Sequence, residues 1–267
     1  LFRSLGWRPL VQSWITKQKG PWMEGNENLI YDLYEWLIPP SLTFTRRHCT
    51  FICNAGVANR INSMMTIVQI LLNDACAPEK KEKNQEVDLK NVNIWIQAAF
   101  IYSGIWGLGG GLDLQSRATF NEFYLEMWKG TAAHPFPESL GKVEISLPSD
   151  GLIHDHCYSF KGRGAWKHWP EAMKTEKLVE TINISQMLVP TVDTVKYQYL
   201  LELHIKHNFP TLLVGSTGTG KSFYIQNLLM YKLSQDLFVP AFITFTASIT
   251  ANQTQELVIS KLNKKKK

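Results

Sequence analysis

Cysteine is scarce in this sequence. Four residues among 267, Cys49, Cys53, Cys76 and Cys157, are too few for a disulfide scaffold, so apolar burial has to hold the fold together. A long unbroken apolar run is lacking too. The longest candidate, Ile94 to Leu112, contains Gln97 and several glycines, and it reads as a buried helix and its exit rather than a membrane span. No secretory leader is expected, since Leu1-Phe2-Arg3-Ser4 leads straight into mixed polar sequence. Charge of one sign is also missing. The net charge is +5, but Lys264 to Lys267 close the chain, and without them it is nearly neutral, which argues against a nucleic-acid surface. What is present is a globular composition, 45% hydrophobic and 19% charged, enough for one large domain or two modest ones. The sequence does not open with Met and closes in lysines soon after an apolar helix pattern, so both ends are expected to be cuts in something longer.

Three textures follow one another. The first is helical. Leu29, Ile30, Leu33, Trp36 and Leu37 recur at helical spacing, and Pro39-Pro40 is expected to stop that helix. A second helix is predicted over Val57 to Leu72, with Ile61, Met64, Met65, Val68 and Leu72 on one face, and the polar stretch Pro78 to Asp88 reads as a solvated loop. A third helix runs from about Leu89 to Trp106 and is ended by Gly107 and Gly109 to Gly111. Ser116 is expected to cap a fourth, through about Trp128, with Phe120, Phe123, Tyr124 and Met127 inward. From Gly130 prolines and glycines punctuate short alternating segments, Val143 to Leu147 and Leu152 to Phe160, which suggest a small β-hairpin with a tight turn at Lys161-Gly162-Arg163-Gly164. From about Thr181 the pattern alternates: an amphipathic helix over Thr194 to Lys206, a buried strand over 210–214, a glycine-rich loop, a helix from Lys221 to about Leu233, a buried strand Ala241 to Phe245, and a helix over Thr254 to Leu262. That order predicts an α/β fold with a parallel sheet.

The loop carries the chemistry. Gly215-Ser216-Thr217-Gly218-Thr219-Gly220-Lys221-Ser222 fits the pattern Gly, four residues, Gly-Lys-Ser/Thr. The glycines permit backbone angles in which successive N–H groups converge on an anion, and the helix that follows adds free donors and its positive dipole end. Lys221 can reach the outer phosphates, and the Ser222 hydroxyl is placed to ligate magnesium. ATP or ADP with Mg²⁺ is the expected ligand, held by Gly215, Ser216, Thr217, Gly218, Thr219, Gly220, Lys221 and Ser222. Hydrolysis needs an apolar strand ending in an acid to hold magnesium and orient water. None follows the loop: Asp236 and Glu256 do not end apolar strands, and Ala241 to Phe245 leads to Thr246-Ala247-Ser248. No catalytic residue is therefore assigned.

Other residues tempt a chemical reading. His154-Asp155-His156-Cys157 resembles a metal cluster, but no second ligand pair sits at zinc-finger spacing and Cys49-x-x-x-Cys53 has no matching partner. A plain hairpin is the favoured reading. Cys157 as a nucleophile lacks any oxyanion or triad context.

The residues around the loop resemble the third AAA+ module of a dynein heavy chain, of the axonemal branch. Val189-Pro190-Thr191-Val192-Asp193-Thr194-Val195-Lys196-Tyr197 before it and Ser248-x-Thr250-Ala251-Asn252-Gln253-Thr254-Gln255 after it carry the likeness. Leu5-Gly6-Trp7-Arg8-Pro9-Leu10-Val11, Trp36-Leu37-Ile38-Pro39-Pro40, Trp95-Ile96-Gln97-Ala98 and Gly109-Gly110 resemble the end of the second module. The resemblance implies a helical small subdomain over residues 1–130, a β-rich connection over 131–180, and the first part of a P-loop α/β subdomain over 181–267, with Val189, Pro190 and Thr191 against the adenine. It also implies the other ring modules as neighbours, dynein light and intermediate chains and microtubules as partners of the parent, and a place in the cytoskeleton of the ciliary axoneme, with neither nucleic acid nor membrane as partner. The family's acidic strand would follow Lys261-Leu262-Asn263, where this sequence reads Lys264 to Lys267. Two readings compete: a small P-loop kinase or transferase, and a non-catalytic nucleotide-binding scaffold.

Overall fold

The computed structural model describes residues 6–53, 55–77, 89–172 and 191–263. They form two compact units, Leu1–Thr219 and Gly220–Lys267. No helix among the described residues is long and apolar enough to cross a membrane. The expected solvated loop at Pro78 to Asp88, as well as Val189 and Pro190, lie outside the described residues.

The first unit opens with five helices: α1 (Arg8–Ile15), α2 (Glu27–His48), α3 (Val57–Ala75), α4 (Val92–Ser103) and α5 (Leu114–Met127). Their apolar stripes close on one core. Ile30, Leu33, Tyr34 and Leu37 of α2, Ile61, Met64 and Val68 of α3, and Phe120, Tyr124 and Met127 of α5 are all fully buried. α4 has almost no polar face, since every residue from Ile94 to Ser103 is buried, as expected of a helix surrounded by its neighbours. It continues into a wider π-type turn, Gly104–Leu108. There two glycines let neighbours approach closely. A Cβ on Gly107 would lie 2.5 Å from the Met64 backbone, and one on Gly104 would meet the Tyr124 hydroxyl, which donates to Phe100 O at 2.8 Å.

α2 corrects the first expectation, because it runs straight through Pro39 and Pro40. A proline pair inside a helix removes two N–H donors and costs several kcal/mol. Leu37, Ile38, Ser41 and Thr45 on both sides of the pair are fully buried, and that packing outweighs the loss. The cap of α5 is a second correction. Asp113, not Ser116, is the capping residue: its Oδ1 accepts the Ser116 N–H at 2.7 Å. Ser116 sits in the first turn, where its Oγ accepts the Thr50 N–H at 2.8 Å.

The hairpin forms as β1 (His156–Ser159) and β2 (Ala165–His168), antiparallel, with His156 opposite His168 and Tyr158 opposite Trp166. The connecting loop spans residues 160–164, one residue longer than the turn expected at 161–164. Val143 to Leu147 is not a strand; Gln97 instead ties this stretch to α4, its Oε1 accepting the N–H of Glu144 at 3.0 Å and of Ile145 at 3.1 Å. A short helix, α6 (Trp169–Ala172), follows β2. α7 (Val192–Lys206) packs in the same unit. Tyr197 Oη accepts from Arg117 of α5 at 3.1 Å, and the Tyr199 ring stands edge-on to Trp169 at 5.2 Å.

The expected strand over 210–214 belongs to no sheet, and Leu212 and Val214 are 83% and 53% exposed. In the second unit the same is true of Ala241 to Phe245, with Phe245 65% exposed. The hairpin is the only sheet among the described residues. A lone strand has no stability without paired edges, and a parallel strand needs both faces covered as well. The second unit otherwise holds α8 (Lys221–Asn227), prolonged by a π-type turn Leu228–Lys232, and α9 (Ala251–Asn263). On α9, Leu257, Val258, Ile259 and Leu262 are exposed. The chain is thus mostly helical, with one small sheet.

Candidate nucleotide site

Positive backbone angles mark the loop. Gly218 has φ +79°, and the place a Cβ would take is open. The Thr219 hydroxyl donates to Ser216 O at 2.9 Å, closing a turn around Thr217 and Gly218. Gly215 to Thr219 are all exposed. They end the first unit.

The second unit takes over at Gly220, also at φ +79°, which stands as the N-cap of α8. Its carbonyl accepts the Tyr224 N–H at 2.9 Å, so the helix starts directly after the loop. A helix start leaves its first N–H groups without intrahelical acceptors, and Lys221 and Ser222 are its first two residues. Ser222 is exposed. Gly218 and Gly220 are thus both left-handed, and a helix starts at Lys221.

Of the three residues assigned to the adenine, Thr191 is described. It caps α7, its Oγ1 accepting the Thr194 N–H at 3.2 Å and sharing a hydrogen bond with the Thr194 hydroxyl at 2.9 Å.

The chain's similarities to known proteins concentrate on one family. Residues 30–171 match the dynein heavy chain AAA lid domain. Residues 176–267 match the P-loop containing dynein motor region. The chain belongs to the dynein heavy-chain family. It is 35% identical over 266 residues to mouse dynein axonemal heavy chain 12, covering 98% of this chain and 8% of that protein. The human protein of the same name is 36% identical over 268 residues, with the same coverage. Human dynein axonemal heavy chain 3 is 30% identical over 269 residues, covering 98% of this chain and 6% of that one. The dynein chain thus spans under a tenth of the length of these relatives, and the likeness to a motor region leaves the small-kinase reading without support.

The residues that tempted a metal or nucleophile reading separate in space. His154 lies in a tight turn, Ile153–Asp155, before β1. It is 1% exposed, with its ring 4.8 Å from Trp106 and nearly edge-on, and both ring nitrogens lack a partner. Burial, reinforced by Arg117 and Lys196, pushes its pKa down to about 3, so it is a neutral core residue. The Cys157 Sγ–H points at Lys167 O, 3.6 Å away, and burial pushes the thiol up, the reverse of what a nucleophile needs. His156 parts company with both and gathers with two residues the sequence reading passed over, Asp150 and His168. The turn expected at 161–164 would have set Trp169 opposite His156; the loop is one residue longer, 160–164, and that shift brings His168 there.

Proposed function

We propose that this chain is the junction between two AAA+ modules of an axonemal dynein motor ring, and that Gly215 to Ser222 holds the phosphates of ATP or ADP with Mg²⁺. In this reading residues 1–130 are the small helical subdomain of the preceding module, 131–180 the connection, and 181–267 the start of the next module's large subdomain. The likeness to the P-loop containing dynein motor region over residues 176–267 supports it, together with the left-handed glycines at 218 and 220. The segments 210–214 and 241–245 are strands in waiting: they are apolar, exposed and unpaired, and they join a sheet when further strands flank them. Val189, Pro190 and Thr191 border the adenine. Bound nucleotide supplies a charge that differs between its triphosphate and diphosphate forms, and the loop amides, Lys221 and Ser222 are what this chain offers to read it. Asp236 and Glu256 are exposed and neither ends a strand, so in this reading the chain binds nucleotide far better than it cleaves it. The partners of this reading are the other ring modules directly, and light or intermediate chains and microtubules through the parent, in the cytoskeleton of the axoneme.

The observation that carries the proposal is the loop geometry, and titration of ATP–Mg²⁺ into wild type and Lys221→Ala tests it. Losing one ammonium–phosphate contact of about 1.5–3 kcal/mol lowers affinity about 10- to 100-fold. Equal affinity in the two proteins would favour a scaffold whose loop is structural, and phosphoryl transfer to a small acceptor would revive the kinase.

A further inference from the structure

We propose that Asp150, His156 and His168, at the open end of the hairpin, form a binding site for a divalent transition-metal ion such as Zn²⁺. One ligand atom from each residue lies within 4.8 Å of the other two. His156 and His168 are direct cross-strand partners, so their rings share a face of the hairpin and stand 4.4 Å apart. His168 Nε2 is 3.8 Å from Asp150 Oδ2. Ligands of a tetrahedral zinc at 2.0–2.1 Å sit roughly 3.3 Å from one another, so closing on an ion takes a shift of about an ångström. Asp150 is 75% exposed at its side chain and His168 35%, and both are free to make it.

Two further features fit a ligand site rather than a chance meeting. His156 is 4% exposed, and its Nδ1 lies 2.9 Å from Leu152 O. A carbonyl only accepts, so Nδ1 carries the proton and Nε2 carries the lone pair. This is how ligating histidines are usually oriented, by a hydrogen bond from the other ring nitrogen. The second feature is Gly151. It has φ +66°, a backbone angle that favours glycine, and it lies in ordinary contact range of the site, a Cβ there being 3.6 Å from His156 Cε1 and His168 Nε2 and 3.4 Å from Asp155 Oδ2, so the turn it makes sets Asp150 beside the two rings. Asp155 lies outside the group, and its Oδ2 accepts the Leu152 N–H at 3.0 Å. Cys157 pairs with Lys167 on the opposite face. Two imidazoles and a carboxylate leave a coordination position for water, and that mixed N/O set suits zinc or its neighbours rather than calcium. The ion would clamp the two ends of the hairpin to the turn that precedes it.

The test titrates untagged full chain with Co²⁺, as a visible reporter of tetrahedral sites, and then displaces it with Zn²⁺. A single saturable site with tetrahedral ligand-field bands is expected. Asp150→Asn and His168→Gln should each weaken it at least about tenfold, and Lys167→Ala, on the other face, should leave it unchanged. His156→Gln removes a buried ring and is informative only if it folds. Exposed Asp150 and half-buried His168 carry the test, with folding checked by far-ultraviolet circular dichroism. Zn²⁺ should also raise the melting temperature of wild type and not of Asp150→Asn. Absence of saturable binding, thiolate charge-transfer absorption showing cysteine ligands, or affinity unaffected by Asp150→Asn and His168→Gln would each overturn the proposal.

Discussion

Replacing Gly107 by alanine sets two effects against each other, and the structure decides the sign. Gly107 lies in the helical turn that follows α4, at a backbone angle open to any residue, since it is absent from the positive-φ glycines. Alanine is there worth about 1 kcal/mol through helix propensity alone. Against that, its Cβ would sit 2.5 Å from both the Cα and the N of Met64, where relaxed carbon contacts are about 3.5–4 Å. The obstacle is backbone in the middle of α3, so no side chain can swing aside, and α3 and the turn must separate by about an ångström. Overpacking typically costs about 1–3 kcal/mol, and a clash with backbone that cannot swing aside belongs at the upper end, about 2–3 kcal/mol. The net expectation for Gly107→Ala is a loss of about 1–2 kcal/mol, or about 2–8 °C in melting temperature for a unit of this size. The assay is urea unfolding followed by tryptophan fluorescence. All nine tryptophans lie at or before Trp169, so the signal reports the first unit alone. Unchanged or raised stability would show that α3 and the turn are not in contact at this glycine, and would refute the packing described for the lid.

Other predictions follow from buried polar groups. Arg60 is 8% exposed and donates to Leu108 O and to Thr45 Oγ1, each at 2.9 Å; Arg60→Ala should cost about 3 kcal/mol by the same unfolding assay, since charged hydrogen bonds are lost and their partners stay buried. Arg60→Met should cost clearly less, because burial already works against the guanidinium and pulls its pKa down to about 10; equal losses would contradict this. His154 stays neutral in the fold down to about pH 3, whereas an unfolded histidine takes a proton near 6.5, so stability is complete above pH 6.5 and falls by about 1.4 kcal/mol per unit as pH drops toward 3. With chelator present, His154→Leu should flatten that slope, and an unchanged slope would place the titrating group elsewhere. Asp113→Ala should speed hydrogen exchange at the Ser116 amide while Asp113→Asn preserves its protection, because asparagine caps as well as aspartate.

The helices were legible because their apolar residues repeat at helical spacing and because each has one buried face: Ile61, Met64, Met65, Val68 and Leu72 are all buried in α3. What failed was local punctuation. Pro39-Pro40 reads as a stop when only the backbone is weighed, and only the burial of Leu37, Ile38, Ser41 and Thr45 shows why α2 continues. Ser116 and Asp113 are both capping residues by type, and the choice between them was set by a distant group, the Thr50 N–H that Ser116 accepts. The segments 210–214 and 241–245 have strand composition, yet a strand is made by its neighbours, which composition does not supply. The glycine loop was the most legible feature because its shape is a backbone property: glycines at 218 and 220 where φ is positive, and a helix that starts at Lys221. Pairings across the hairpin needed the register, so His168 and Asp150 were out of reach of a motif search around His156.

The central claim is that backbone N–H groups between Gly215 and Ser222 close on the phosphates of a nucleotide. Hydrogen exchange of the full chain, with and without ATP–Mg²⁺ and with adenosine as the control, tests it residue by residue. Slowed exchange at the amides of Gly218 to Ser222 with ATP, and none with adenosine, is the predicted result. Unchanged exchange at those amides under saturating ATP, or equal slowing by adenosine, would contradict it.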